Sequence, residues 1–267
     1  MINRLISKSK KSFRKLRKYF KKNKNISLTV ADNYINAPDK QHIGDMRLMF
    51  REFLKKDLKP DYILDVGAHS TEWIRMYMEF FPASTAYLIE PLAEMKDKLE
   101  KFCIDYPGSK YFLNGAGSTE GRMYLTTKGS LEGASFLLKE NKNLIKNNFQ
   151  REIDIITIDG LIEKNEIEIP DIVKLDVQGF ELEVLKGAEK LFGKTEVFIL
   201  EVSLFEYVKG TPIFSEVISF MSERGYEVYD FPGFLRRPFD GALGQIDVCF
   251  VRKNGFLRAS NLWFKPE

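Results

Sequence analysis

The chain has 267 residues, 44% hydrophobic and 30% charged, with a net charge of +3, the composition of a soluble protein and the length for one large domain with a sizeable core or two small ones. No apolar run approaches the roughly 20 residues that cross a bilayer. Cys103 and Cys249 are the only cysteines, which excludes a disulfide framework and a thiolate zinc site and points to a reducing cytoplasm.

The net charge hides an asymmetry: residues 1–25 hold eleven Lys and Arg and no acid, so the rest of the chain is acidic. Phosphate repels an acidic surface, and nucleic acid is therefore not expected as a partner. Within 1–25, Ile2, Leu5, Ile6, Phe13, Leu16 and Phe20 recur at helical spacing with Lys and Arg between them. This pattern predicts a basic amphipathic helix with peripheral membrane contact at the inner face, the alternatives being a solvated tail or a helix packed on the domain or on a second subunit. Residues 26–38 read as a linker, and a main domain is expected over 39–260.

From 39 to 56 a stripe of Ile43, Met46, Met49, Phe50 and Phe53 predicts a helix packed on the main sheet. Strands and amphipathic helices then alternate, as in a parallel sheet covered on both faces. Strands are expected at 62–66, 86–89 and 110–114, with helices at 71–80 and 93–102. Glycines punctuate 115–157, which reads as a hairpin-bearing insertion near the site. Strand 172–177, helix 180–192, strand 196–202 and helix 213–224 resume the alternation. Strands 226–230 and 246–252 follow with no helix between them, so one of them is expected to run antiparallel.

Three segments carry chemistry. In Leu64-Asp65-Val66-Gly67-Ala68-His69 an apolar strand meets a turn in which Gly67 lets backbone approach a ligand. Ser70 or Thr71 is placed to cap the next helix. In Leu88-Ile89-Glu90-Pro91 a carboxylate closes the second strand and Pro91 ends the ladder, a position from which Glu90 can accept from vicinal ribose hydroxyls. In Lys174-Leu175-Asp176-Val177-Gln178-Gly179 a further acid follows an apolar strand, and Glu201 ends the next one. Two acids at one crevice can orient a nucleophile, act as a base or bind a cation, and His69 adds a second candidate base. Only one glycine follows Val66, so the dinucleotide fingerprint is absent, and no phosphate-binding loop is present.

These segments resemble the FkbM family of S-adenosylmethionine-dependent methyltransferases over roughly residues 60–252. To them add Asn114-Gly115-Ala116, Thr157-Ile158-Asp159-Gly160-Leu161, Lys186-Gly187-Ala188 and Gly244-Gln245-Ile246-Asp247. His69 and Thr71 stand where the family pattern carries Asn and Gly, and Gln178 stands where many members carry Glu. The resemblance implies a Rossmann-like α/β fold of class I: a seven-stranded, mostly parallel sheet with an antiparallel last strand and helices on both faces. It further implies that Asp65, Gly67, Ala68 and His69 shape the methionine end of the cofactor site. Glu90 and Pro91 then sit at the ribose, and Asn114, Gly115 and Ala116 border the adenine. Asp176, His69 and Glu201 are the expected catalytic groups, with no metal. The expected reaction is methyl transfer to a hydroxyl of a sugar, such as a surface polysaccharide or lipid-linked glycan. A non-catalytic binding module of the same fold, or an enzyme acting on a secondary metabolite, is the alternative.

Overall fold

Apolar residues run without alternation through Ile63–Leu64, Ala86–Ile89, Ile172–Val173 and Val197–Leu200, and all are buried. Strands of this kind belong where both faces of a sheet are covered. A computed structural model describes residues 43–127 and 131–262. The amphipathic segment 1–25 and the linker 26–38 lie outside the described residues.

The main sheet is built from β1 (Tyr62–Val66), β2 (Thr85–Ile89), β3 (Lys110–Phe112), β7 (Ile172–Leu175), β8 (Val197–Ser203), β9 (Tyr226–Arg236) and β10 (Leu243–Arg252). Its order is β3-β2-β1-β7-β8-β10-β9. The first five strands are mutually parallel, and β10 runs antiparallel to both β8 and β9. The sheet is thus seven-stranded and mostly parallel, with an antiparallel last strand, as the resemblance implied.

Helix α1 (Met46–Lys55) starts at Asp45, whose carboxylate accepts the Leu48 N–H at 3.1 Å. Its Phe50 packs among Trp73, Tyr77, Phe80 and Phe81 of α2 (Glu72–Met78) and the turn after it. Thr71 precedes α2 but does not cap it: its φ of +66° is left-handed, and its hydroxyl accepts from Arg75 Nε instead. Helix α3 (Lys96–Asp105) lies between β2 and β3 in the chain and buries Leu99 and Phe102.

The stretch 115–157 forms a second sheet of β4 (Gly115–Ala116), β5 (Gly121–Thr126) and β6 (Gln150–Ile156), in the order β4-β6-β5. β6 is antiparallel to β5 and parallel to β4. Its antiparallel pair is joined by a long connection that includes α4 (Lys142–Lys146) rather than by a tight turn. Thr157 then caps α5 (Ile158–Glu163), accepting the Gly160 N–H at 3.0 Å.

The helix expected over 180–192 is α6 (Glu181–Lys186) followed by a 3-10 turn, Glu189–Leu191. The break falls where a Cβ on Gly187 would stand 2.1 Å from the Gly117 carbonyl oxygen. Asp159 completes it by accepting the N–H groups of Glu189 and Lys190. Helix α7 (Phe214–Glu223) starts at Ile213, whose N–H is taken by Glu216 at 2.8 Å. β9 and β10 run beyond the expected 226–230 and 246–252. β9 passes through Phe231-Pro232-Gly233 with irregular register.

Candidate active site

The carboxyl ends of β1, β2 and β7 meet at a cleft of about 250 Å3. In open parallel sheets this is the edge where ligands bind. The turn after β1 is held by its own backbone. Gly67 and Ala68 both donate N–H to the Ile89 carbonyl, at 2.8 and 3.3 Å. Gly67 has φ +83°, and a Cβ there would lie 2.0 Å from the Asp176 carbonyl oxygen, so the turns after β1 and β7 touch backbone to backbone.

Glu90 joins two turns. Its Oε2 accepts the His69 N–H at 2.8 Å and its Oε1 accepts the Leu92 N–H at 2.9 Å. Burial raises its pKa to about 7, against the lowering effect of those two donors. Each oxygen keeps a free lone pair, and the residue lines the cleft. His69 lines it too, with its Nε2 buried and without a hydrogen-bond partner.

Gly67, His69, Glu90, Pro91, Gly115, Ala116 and Asp176 all border the cleft, while four other expected residues do not. Asp65 is fully buried within β1 and faces Lys174, 3.8 Å away, its register partner on the neighbouring strand β7. Ala68 is buried behind the turn. Asn114 turns toward the insertion, donating to the Asp154 carbonyl at 3.3 Å. Glu201 stands one layer back, accepting from Gln178 and Gln245, both at 2.8 Å.

Asp176 is the acid that reaches the cleft. Lys174 Nζ lies 3.1 Å from its Oδ2, and Gln178 Nε2 donates to its Oδ1 at 2.9 Å. Burial opposes its charge, but Lys174 and the donors Lys174, Gln178 and Glu201 outweigh burial and lower its pKa. Glu201 moves the other way, to about 8, through burial and then the charges of Asp176 and Asp247. The two acids are thus pushed in opposite directions, Asp176 toward its ionised form and Glu201 toward its protonated one. Burial also disfavours the Lys174 ammonium, yet Asp176 and Asp65 reverse that effect and raise its pKa. The Trp73 ring covers its Nζ at 5.2 Å.

Gln178, Lys174 and the 131–136 segment were not among the expected site residues. Gln178 lies inside the Lys174–Gly179 stretch that the sequence singled out, and Lys174 reads there as a plain ion-pair partner. Leu131 and Phe136 line the cleft from the insertion, and nothing in their local sequence signals that contact. Among the described residues, no group of three or more His, Cys, Asp or Glu is placed to hold a metal, and no helix is long and apolar enough to cross a membrane.

The Methyltransferase FkbM domain matches residues 65–228, a span that contains every side chain of this cleft. The chain belongs to the FkbM methyltransferase family. This FkbM methyltransferase is 26% identical over 158 residues to the hexuronic acid methyltransferase AglP of Haloferax volcanii. That match covers 59% of this chain and 60% of AglP. Among solved structures it is similar to fibrillarin in the fibrillarin/Nop5p complex, at 14% identity, with a TM-score of 0.44 and 72% of each chain covered. It is also similar to the precorrin-6y C5,15-methyltransferase of Geobacter metallireducens, at 10% identity and TM-score 0.41, with 80% of this chain and 95% of that one covered. The sheet order, with β10 antiparallel, is the class I methyltransferase arrangement.

Proposed function

We propose that this FkbM methyltransferase transfers the methyl group of S-adenosylmethionine to a hydroxyl of a sugar. The observation that carries this reading is that one cleft is lined both by Glu90, with free lone pairs, and by Asp176, an ionised acid held by Lys174 and Gln178.

The residues present fit the cofactor. Glu90 would accept from the ribose hydroxyls, His69 Nε2 has no other partner, and Val66, Ile89 and Phe136 offer apolar walls to the base. When bound, S-adenosylmethionine supplies an activated methyl group on a sulfonium. The protein then has to align the acceptor oxygen, exclude water and receive the hydroxyl proton. Asp176 is the group we assign to that proton, with Lys174 balancing its charge and Gln178 fixing its plane. Glu201 acts through Asp176 as a positioning residue. The sugar acceptor, with a hexuronic acid as the first class to try, is supported by the similarity to AglP.

Calorimetric titration with S-adenosylmethionine, paired with methylation assays on uronic-acid oligosaccharides, tests the reading. Glu90→Gln should weaken cofactor binding by about ten- to a hundredfold, the value of hydrogen bonds to a charged group. Asp176→Asn should leave that binding within about twofold and lower turnover by about 100-fold or more. Equal cofactor binding in Glu90→Gln, or full turnover in Asp176→Asn, would remove the corresponding assignment.

A further inference from the structure

The acid that reaches the cleft stands on a turn that belongs to neither neighbouring element. β7 ends at Leu175 and α6 begins at Glu181, so residues 176–180 are held by other means. Asp176 itself is tied to β1 through its N–H, which donates to the Val66 carbonyl at 3.0 Å. Beyond it the backbone takes an unusual course. Gln178 at φ +54° and Gly179 at φ +93° are both left-handed, a conformation that a residue with a side chain enters only at a cost.

Glu181 supplies the restraint. Its Oε1 accepts two N–H groups of the turn, Val177 at 3.2 Å and Gly179 at 3.1 Å, one on either side of Gln178. An acid in the first turn of a helix is commonly solvated and favoured by the helix dipole. Glu181 is only 2% accessible, and this oxygen is taken up by the turn before its helix. On the other side, Ser135 Oγ donates to the Gln178 carbonyl at 2.8 Å, and a Cβ on Gly179 would meet Leu137 at 2.7 Å. Gln178 is thus clamped through both flanking amides and through its own carbonyl.

The clamp has a chemical consequence. The Gln178 carboxamide bridges Asp176 and Glu201 through Nε2, and its direction follows from the backbone that carries it. Glu181 itself is not among the residues that border the cleft. Its influence on the reacting atoms therefore passes through the turn.

We propose that Glu181 is a positioning residue of the methyl-transfer site. By holding the Val177 and Gly179 amides it fixes the Gln178 carboxamide between Asp176 and Glu201, and with it the plane of the Asp176 carboxylate. The inference rests on the role assigned to Asp176 and adds the residue that sets its geometry.

Two variants of the full chain separate geometry from charge. Glu181→Gln and Glu181→Leu both remove the acid, but only Gln keeps an acceptor oxygen for the two amides. In Glu181→Leu the Val177 and Gly179 amides should exchange with deuterium about tenfold faster or more. The Gln178 side-chain NH2 resonances should move toward those of a solvated carboxamide. In Glu181→Gln both signals should stay near wild type. With uronic-acid oligosaccharides as acceptor, Glu181→Leu should lose about tenfold or more in turnover while S-adenosylmethionine affinity stays within about twofold. Glu181→Gln should recover most of that loss. Glu181→Asp draws the carboxylate back by one methylene and should shift the Gln178 resonances in the same direction, which serves where Glu181→Leu does not fold. Unmoved Gln178 resonances in a folded Glu181→Leu or Glu181→Asp protein overturn the proposal, with or without acceptor turnover. So does wild-type turnover in Glu181→Leu when Asp176→Asn is inactive. Full turnover in Asp176→Asn instead removes the assignment of Asp176, and this proposal with it.

Discussion

Gln178 donates through one amide nitrogen to two carboxyls, Asp176 at 2.9 Å and Glu201 at 2.8 Å, from a backbone at φ +54°. A glutamate at this position removes the donor and adds a like charge to both acids. Gln178→Glu is therefore expected to raise the acidic limb of the pH–activity profile by about one unit or more, measured with saturating acceptor. The unaltered profile would show that Gln178 does not set the ionisation of Asp176. At this scale the sequence was most readable where an acid ends an apolar run, as at Glu90 and Asp176. It was least readable at Asp65, whose place in the motif is plain but whose pairing with Lys174 depends on the register of β1 and β7. Gln178 gives no sign by itself, because an amide becomes informative only once two acids are seen to converge on it.

Helix α1 reaches the site through rings. Phe50 lies 5.9 Å from Trp73, and Trp73 covers Lys174, which holds Asp176. Phe50 is fully buried, so Phe50→Ala should cost about 3–5 kcal/mol, measured as a shift in urea midpoint at constant slope. The parallel strands were legible because burial on both faces writes itself as an unbroken apolar run. The hairpin's true length was not. The strand was expected to end at 230, yet it continues through Gly233, where the Asp247 carboxylate passes 1.9 Å from a would-be Cβ. The insertion was legible as hairpin-bearing, but the pairing of β4 with β6 was not, since β4 is only Gly115–Ala116 and its partner lies far along the chain.

Across the described residues, burial raises the pKa of several acids. Asp65 and Asp247 are raised to about 6, Glu90 and Glu181 to about 7 and Glu201 to about 8, in each case chiefly by burial. A carboxyl whose pKa is higher folded than unfolded binds its proton more tightly in the native state. Its contribution to stability is complete below about pH 4 and is lost as pH rises through the folded values, here about 6 to 8. Asp240, lowered to about 2 chiefly by Arg237, acts in the opposite sense, but its contribution is lost only in stronger acid. The ligand-free protein should therefore melt at a lower temperature at pH 8.5 than at pH 5.5, by scanning calorimetry. A flat or rising trend would mean that these acids are ionised in the native state. The strand order of the main sheet has one more consequence, for the chain as it is being made. β8 is buried on both faces, yet one of its edges is closed only by β10, which is translated after α7 and β9. During synthesis that edge stands open, an apolar strand with unpaired amides awaiting the last partner. The nascent protein thus carries an aggregation hazard late in synthesis, until β10 emerges to close that edge.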